Sequence, residues 1–173
     1  MREGPTAHVM CEESQPKWQP SSSIRTTITG VGIATPPTGY SQTELLEVFG
    51  IKDRRVRSLF MNSAIDRRYL TLPKATGSGP CRTETQGELL KKHRACAVEI
   101  GARAIQACLD SQNARTSEIG FLCCVTTTGF LSPGVSAFMC RELGLAADCA
   151  RLDVVGMGCN AGLNALTLPQ AGR

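Results

Sequence analysis

Among the side chains able to do chemistry, cysteine stands out, with nine residues at 11, 81, 96, 108, 123, 124, 140, 149 and 159. Cys159 has the surroundings a nucleophile needs, in the run Val154-Val155-Gly156-Met157-Gly158-Cys159-Asn160-Ala161-Gly162. That order reads as buried strand, glycine-flanked turn, thiol, then helix. A free cysteine is only a few per cent thiolate at neutral pH, and the unpaired N–H groups at a helix N-terminus favour the negative form. Gly158 and Gly162 leave room for a bulky thioester to approach the backbone. The chemistry that follows is acyl transfer through a cysteine thioester. In the competing reading, the glycines only allow tight helix-on-sheet packing around an inert thiol. Cys123 and Cys124 lie side by side in an apolar run, point to opposite faces of a strand, and read as packing residues.

The other thiols suggest no second site. Their odd number argues against a closed disulfide framework. No Cys-x-x-Cys pair occurs, and His8 and His93 lie far from any partner at zinc-like spacing, so no metal site is expected. Such thiols suit a reducing compartment. Glu12 and Glu13 stand where a secretory signal would be apolar, and no run of about 18 apolar residues is present to span a bilayer. A cytoplasmic protein without membrane association is expected.

These residues need a scaffold. The chain has 173 residues, 42% apolar and 20% charged, which suffices for a globular domain without disulfide or metal support. Its net charge of +4 comes from residues 51–100, chiefly Lys52, Arg54, Arg55, Arg57, Arg67, Arg68, Lys74, Arg82, Lys91, Lys92 and Arg94. Only Phe60 and Tyr69 accompany them as aromatic platforms, so nucleic acid is not the expected partner. A phosphorylated small molecule fits better, and a solvated helix face accounts for much of the block.

Residues 1–23, with Pro5, Pro16, Pro20 and Ser21-Ser22-Ser23, read as a flexible arm. Residues 26–33 are rich in β-branched side chains and predict a strand stopped by Pro36-Pro37. Ser41 or Thr43 caps a short helix through Phe49, and a second short helix covers Arg54 to Ser63. A loop over 71–83 precedes the longest helix, opened by Thr83 or Thr85, whose core stripe is Leu89, Cys96, Ala97, Ile100, Ala104 and Cys108. His93 falls on the margin of that stripe as a structural residue. The run 119–127 predicts a strand covered on both faces, Val135–Leu143 a helix stopped by Gly144, 152–155 a strand, and 159–166 a helix. Strand and helix alternate, so the class is α/β with helices on both faces of a sheet.

At the level of motif the sequence resembles a known family. Gly158-Cys159-Asn160-Ala161-Gly162 is similar to the nucleophile motif of the type III polyketide synthases, the chalcone and stilbene synthase superfamily. Ile33-Ala34-Thr35-Pro36-Pro37 resembles the family's early strand and turn. Ser63-Ala64-Ile65-Asp66-Arg67-Arg68-Tyr69-Leu70 resembles its S-x-I-x-x-R-Y segment, and Thr126-Thr127-Thr128-Gly129 with Pro133-Gly134 its T-[TS]-G-x-x-x-P-G strand and loop. The resemblance spans about residues 24–166. Within the superfamily, residues 154–163 are similar to the bacterial 3,5-dihydroxyphenylacetyl-CoA synthases.

The resemblance implies the N-terminal half of a thiolase-like fold, layered α-β-α-β-α in the full enzyme, over residues 24–173. It implies acyltransfer from CoA thioesters to Cys159 and decarboxylative condensation of malonyl-CoA, in a homodimer with no cofactor beyond the CoA substrates. Arg55 matches a basic position for CoA phosphates. The cluster's other two basic positions are Ser58 and Asn62 here, and Arg57 is the candidate substitute. Thr127 and Thr128 match positions lining the acyl cavity, and Ser132 the loop residue that reaches toward the partner subunit. The family's catalytic His and Asn belong to the second half of the fold, and no histidine follows Cys159. Pro169 is expected to stop the last helix. The 173 residues are thus expected to be a half-enzyme, truncated after the nucleophile helix and inactive alone. A ketoacyl synthase III-like condensing enzyme and a non-catalytic half-domain pairing with a full-length subunit are the alternatives.

Overall fold

The computed structural model describes residues 27–73 and 81–167. The arm, most of the 71–83 loop and the Pro169 helix stop lie outside them. Two small sheets organise the described chain. β1 (Gly39–Ser41) pairs antiparallel with β2 (Arg67–Tyr69), and β3 (Phe121–Thr126) pairs parallel with β4 (Ala150–Val155).

Helices α1 (Gln42–Val48) and α2 (Arg54–Met61) belong with the first sheet. Ser41 and Glu44 close a capping box at the start of α1, whose Leu45 and Leu46 are 1% exposed. Gln42, also buried, uses both ends of its amide. Its Nε2 donates to Ser63 Oγ at 3.0 Å and to the Ile65 carbonyl at 2.6 Å, while its Oε1 accepts from Arg68 Nε at 3.2 Å. These bonds dock the S-x-I-x-x-R-Y segment onto α1. Asp53 caps α2, which buries none of its residues.

Helix α3 (Gln86–Gln112) is the long one, opened by a Thr85–Glu88 capping box that Arg82 reinforces, with Nη2 2.7 Å from Glu88 Oε1. It packs on α4 (Val135–Leu143), which ends at Gly144 in the left-handed region. Between them and β3 lies the main core of Leu122, Val135, Met139 and Cys149, joined by Ala97, Val98, Ala102 and Ile105. A short helical turn over Gly158–Asn160 leads from β4 into α5 (Ala161–Thr167), which packs against β3 and β4.

Two expectations change. Residues 27–37 form no strand. A ladder needs a partner, and this segment lies instead across α3, so closely that a Cβ on Gly32 would run into the Ala104 carbonyl. Its β-branched Val31 and Ile33 stay exposed. The β3 run is not covered equally on its two faces, because Leu122 is buried while Phe121 and Val125 are 40% and 38% exposed. β1 and β2 are strands that the sequence pattern does not announce, each being three residues long. No helix among the described residues is long and apolar enough to cross a membrane.

Candidate acyl-transfer site

The parallel register of β3 and β4 builds the site. Thr126 stands opposite Val155, so both strands finish at the same end of the sheet. Loops at the carboxyl ends of parallel strands are where α/β folds present their chemistry. Here β3 delivers Thr127 and Thr128, and β4 delivers the turn from Gly156 to Cys159. The Gly156 N–H donates to the Thr126 carbonyl at 3.3 Å and ties the two exits together. Gly156 and Gly158 have φ of +77° and +66°, values only glycine adopts without strain. They turn the chain sharply out of the strand.

Cys159 sits at the end of that turn and is the one exposed thiol among the described cysteines. Cys149 is buried and the others are half-buried. Burial, with the Asp153 carboxylate adding to it, pushes the Cys124 thiol up to about 12, and the same two causes raise Cys123. Burial likewise raises Cys140, with its Cys149 neighbour contributing. Those three thiols stay protonated and half-buried, whereas Cys159 is exposed at the sheet end.

Thr127, Thr128 and Ser132 are exposed on the loop from β3 to α4. The same loop carries Phe130, which lies over Gly156, where an added Cβ would come within 3.3 Å of its ring. The structure therefore brings the loop and the Cys159 turn together. Arg55 and Arg57 sit elsewhere, on α2, which packs against α1. Arg54, Arg55, Ser58 and Leu59 border an open depression, while Arg57 donates through Nη1 to the Ile51 carbonyl at 3.2 Å. The two arginines share a helix but not a pocket.

His93 is half-buried, with its ring against Gly129 and its Nε2 buried without a partner. It borders a groove of about 680 Å³ whose walls include Leu89, Cys96, Ile100, Thr128 and Phe130. Sequence reasoning missed Asp153, which binds the start of α4. The available signal was an acidic residue between Leu152 and Val154 in the strand that leads to Cys159.

A family model for the N-terminal domain of chalcone and stilbene synthases matches residues 17–171. The chain is 54% identical over 143 residues to a 3,5-dihydroxyphenylacetyl-CoA synthase of Amycolatopsis orientalis, a match covering 83% of this chain and 39% of that protein. It is 56% identical over 144 residues to the enzyme of the same name from Streptomyces toyocaensis, covering 83% and 37%. The chain thus spans less than two fifths of the length of these relatives. In fold, it matches the C-terminal type III polyketide synthase domain of Steely1 from Dictyostelium with a TM-score of 0.72 at 24% identity, over 83% of this chain and 42% of that one. This likeness carries the expected α/β class and type III polyketide synthase architecture. The chain belongs to the chalcone and stilbene synthase family and carries its N-terminal domain.

Proposed function

We propose that this chain is the nucleophile-bearing part of a type III polyketide synthase that builds 3,5-dihydroxyphenylacetyl-CoA from malonyl-CoA, with Cys159 as the acyl acceptor. The observation that carries the reading is the place of Cys159, an exposed thiol on a glycine turn at the carboxyl end of the parallel pair, beside the Thr127–Thr128 loop. The likeness to the 3,5-dihydroxyphenylacetyl-CoA synthases supports the choice of product.

In this reading the Cys159 thiolate attacks the carbonyl carbon of an acyl-CoA. The tetrahedral intermediate collapses, the C–S bond to CoA breaks, and CoA leaves as its thiolate. A malonyl-CoA then loses CO₂, and the resulting enolate attacks the Cys159 thioester. A carbon–carbon bond forms and the Cys159 thiolate is released with a longer chain on CoA. Sulfur serves both steps because it is a good nucleophile and a good leaving group. Thr127 and Thr128 line the acyl cavity, Ser132 faces a partner subunit of a homodimer, and Arg55, assisted by Arg57, holds CoA phosphates. Enolate and oxyanion need donors aimed at the developing charge, and this chain has no histidine after Cys159. The 173 residues alone therefore take up an acyl group without completing condensation.

The test is incubation of the chain with malonyl-CoA carrying label in its carboxyl and acyl carbons, alongside the same malonyl group on an acyl-carrier protein. Acylation from the CoA donor, abolished in Cys159→Ala and not accompanied by labelled CO₂, is the expected result. Labelled CO₂ released from the carrier-protein malonyl group and not from malonyl-CoA would move the chain to the ketoacyl synthase III type.

A further inference from the structure

We infer that Asp153 is a positioning residue for the acyl site: from the strand that runs to Cys159, its carboxylate holds the start of α4 and thereby the loop bearing Thr127, Thr128 and Ser132. This rests on the reading of Cys159 as acyl acceptor.

The N-cap position before α4 is Gly134, which has no side chain to cap the orphan N–H groups of the first turn. Asp153 supplies the cap from across the fold. Its Oδ1 accepts from the Ser136 N–H at 2.9 Å, and its Oδ2 accepts from the Ser136 hydroxyl at 2.5 Å. Ser136 is 1% exposed and Asp153 half-buried, so both bonds are part-buried. Gly134 has φ of −66°, open to any residue, so its lack of a side chain is a matter of space. A Cβ there would meet the Asp153 carboxylate. Among the described residues Asp153 makes no ion pair. A half-buried carboxylate loses hydration that hydrogen bonds must replace, and a helix N-terminus is a setting that supplies them.

The second end of the loop is also tied to β4. The Thr126 carbonyl, where β3 ends, accepts from the Gly156 N–H. The strand that delivers Cys159 therefore fixes the loop at its entry through Gly156 and at its exit through Asp153. Displacing the Asp153 bonds frees the exit of the loop bearing Thr127, Thr128 and Ser132, while the Gly156 tie that sets the Cys159 turn stays in place.

The test uses the 173-residue chain with Asp153→Ala, Asp153→Asn, Ser136→Ala, Gly134→Ala and the Asp153→Ala/Gly134→Ala pair. Three quantities are read: amide hydrogen exchange over 127–136 against the middle of α3, the malonyl-CoA concentration that half-saturates Cys159 acylation, and the rate of Cys159 alkylation by iodoacetamide. Asp153→Ala is expected to speed exchange over 127–136 about ten-fold, a loss of about 1.4 kcal/mol locally, with α3 unchanged. Half-saturation rises and alkylation stays at the parental rate, a split that general destabilisation would not produce. Asp153→Asn, which keeps an acceptor for the N–H and a donor for the hydroxyl, lies near the parent, and Ser136→Ala lies between. Gly134→Ala reproduces the Asp153→Ala effect and adds nothing in the Asp153→Ala background, where its obstacle is gone. If Asp153→Ala does not fold, Ser136→Ala and Gly134→Ala carry the same comparison. A parent chain that takes no acyl group refutes the acyl-acceptor reading, while exchange and the double variant still decide the clamp. Unchanged exchange over 127–136, an equal rise across α3, or full additivity of the pair would overturn it.

Discussion

Thr126 and Gly156 are joined across the ends of β3 and β4 by a 3.3 Å hydrogen bond from the Gly156 N–H to the Thr126 carbonyl. This bond sets where the chain leaves β4 and hence where Cys159 is presented. With φ of +77° Gly156 holds a conformation that strains any side chain, and an added Cβ would also press on the Phe130 ring at 3.3 Å. Gly156→Ala is expected to lower stability by about 1–2 kcal/mol through left-handed strain. Urea unfolding followed by circular dichroism measures it.

Thiol reactivity separates Cys159 from the other described cysteines. Iodoacetamide at pH 8 followed by peptide mapping should label Cys159 first. Cys124, held near 12, together with Cys123 and Cys140, should label more slowly than Cys159 in the folded chain. Rapid alkylation of Cys124 in the folded chain would contradict the burial described.

The start of α3 should give a pH signature. Glu88 is held down to about 2, first by the Arg82 hydrogen bond and then by the Thr85 N–H and hydroxyl. A carboxyl depressed in the folded state contributes its full stability above its unfolded value near 4.5 and loses it as pH falls toward 2. Melting temperature should therefore fall across that window, and Glu88→Gln should flatten the fall. An identical pH profile in the variant would remove Glu88 as its source.

Buried Gln42 is the joint between α1 and the segment ending in β2. Gln42→Ala leaves the Ile65 carbonyl and Ser63 without their partner and is expected to cost about 1–3 kcal/mol. Chemical denaturation would read it, with Glu47→Ala on the exposed side of α1 as the neutral control.

The α2 arginines test the phosphate expectation. Arg55→Ala is expected to raise the CoA-thioester concentration that half-saturates Cys159 by roughly three- to ten-fold with little change in stability. The rise should shrink at high salt, since Arg55 is exposed. Arg57→Ala should also loosen the Ile51 turn, because its guanidinium holds that carbonyl.

Elements with strong local signals were legible in the sequence. Ser41 and Thr85 cap the helices as their types suggest, Gly144 stops α4, and the order strand, glycine turn, Cys159, helix appears as read. Residues 27–37 misled because β-branched composition reports a preference for extended backbone and not the presence of a partner strand. β1 and β2 were too short to show a period, and their pairing, beside the hydrogen bond from Arg68 to Gln42, joins segments far apart in sequence. Asp153 escaped because its role depends on a residue on another element, Ser136, and no local pattern encodes that meeting. Cys159 was singled out by its glycines, but its standing as the exposed thiol among the described cysteines became visible only in three dimensions.

The central claim is most directly tested by peptide-level mass spectrometry of the chain after brief exposure to malonyl-CoA, with free CoA measured in the same sample. The account predicts about one acyl group per chain, on the Cys159 peptide, matched by an equal amount of released CoA. Acyl groups spread over the other cysteines, or CoA release with Cys159 unmodified, would contradict it.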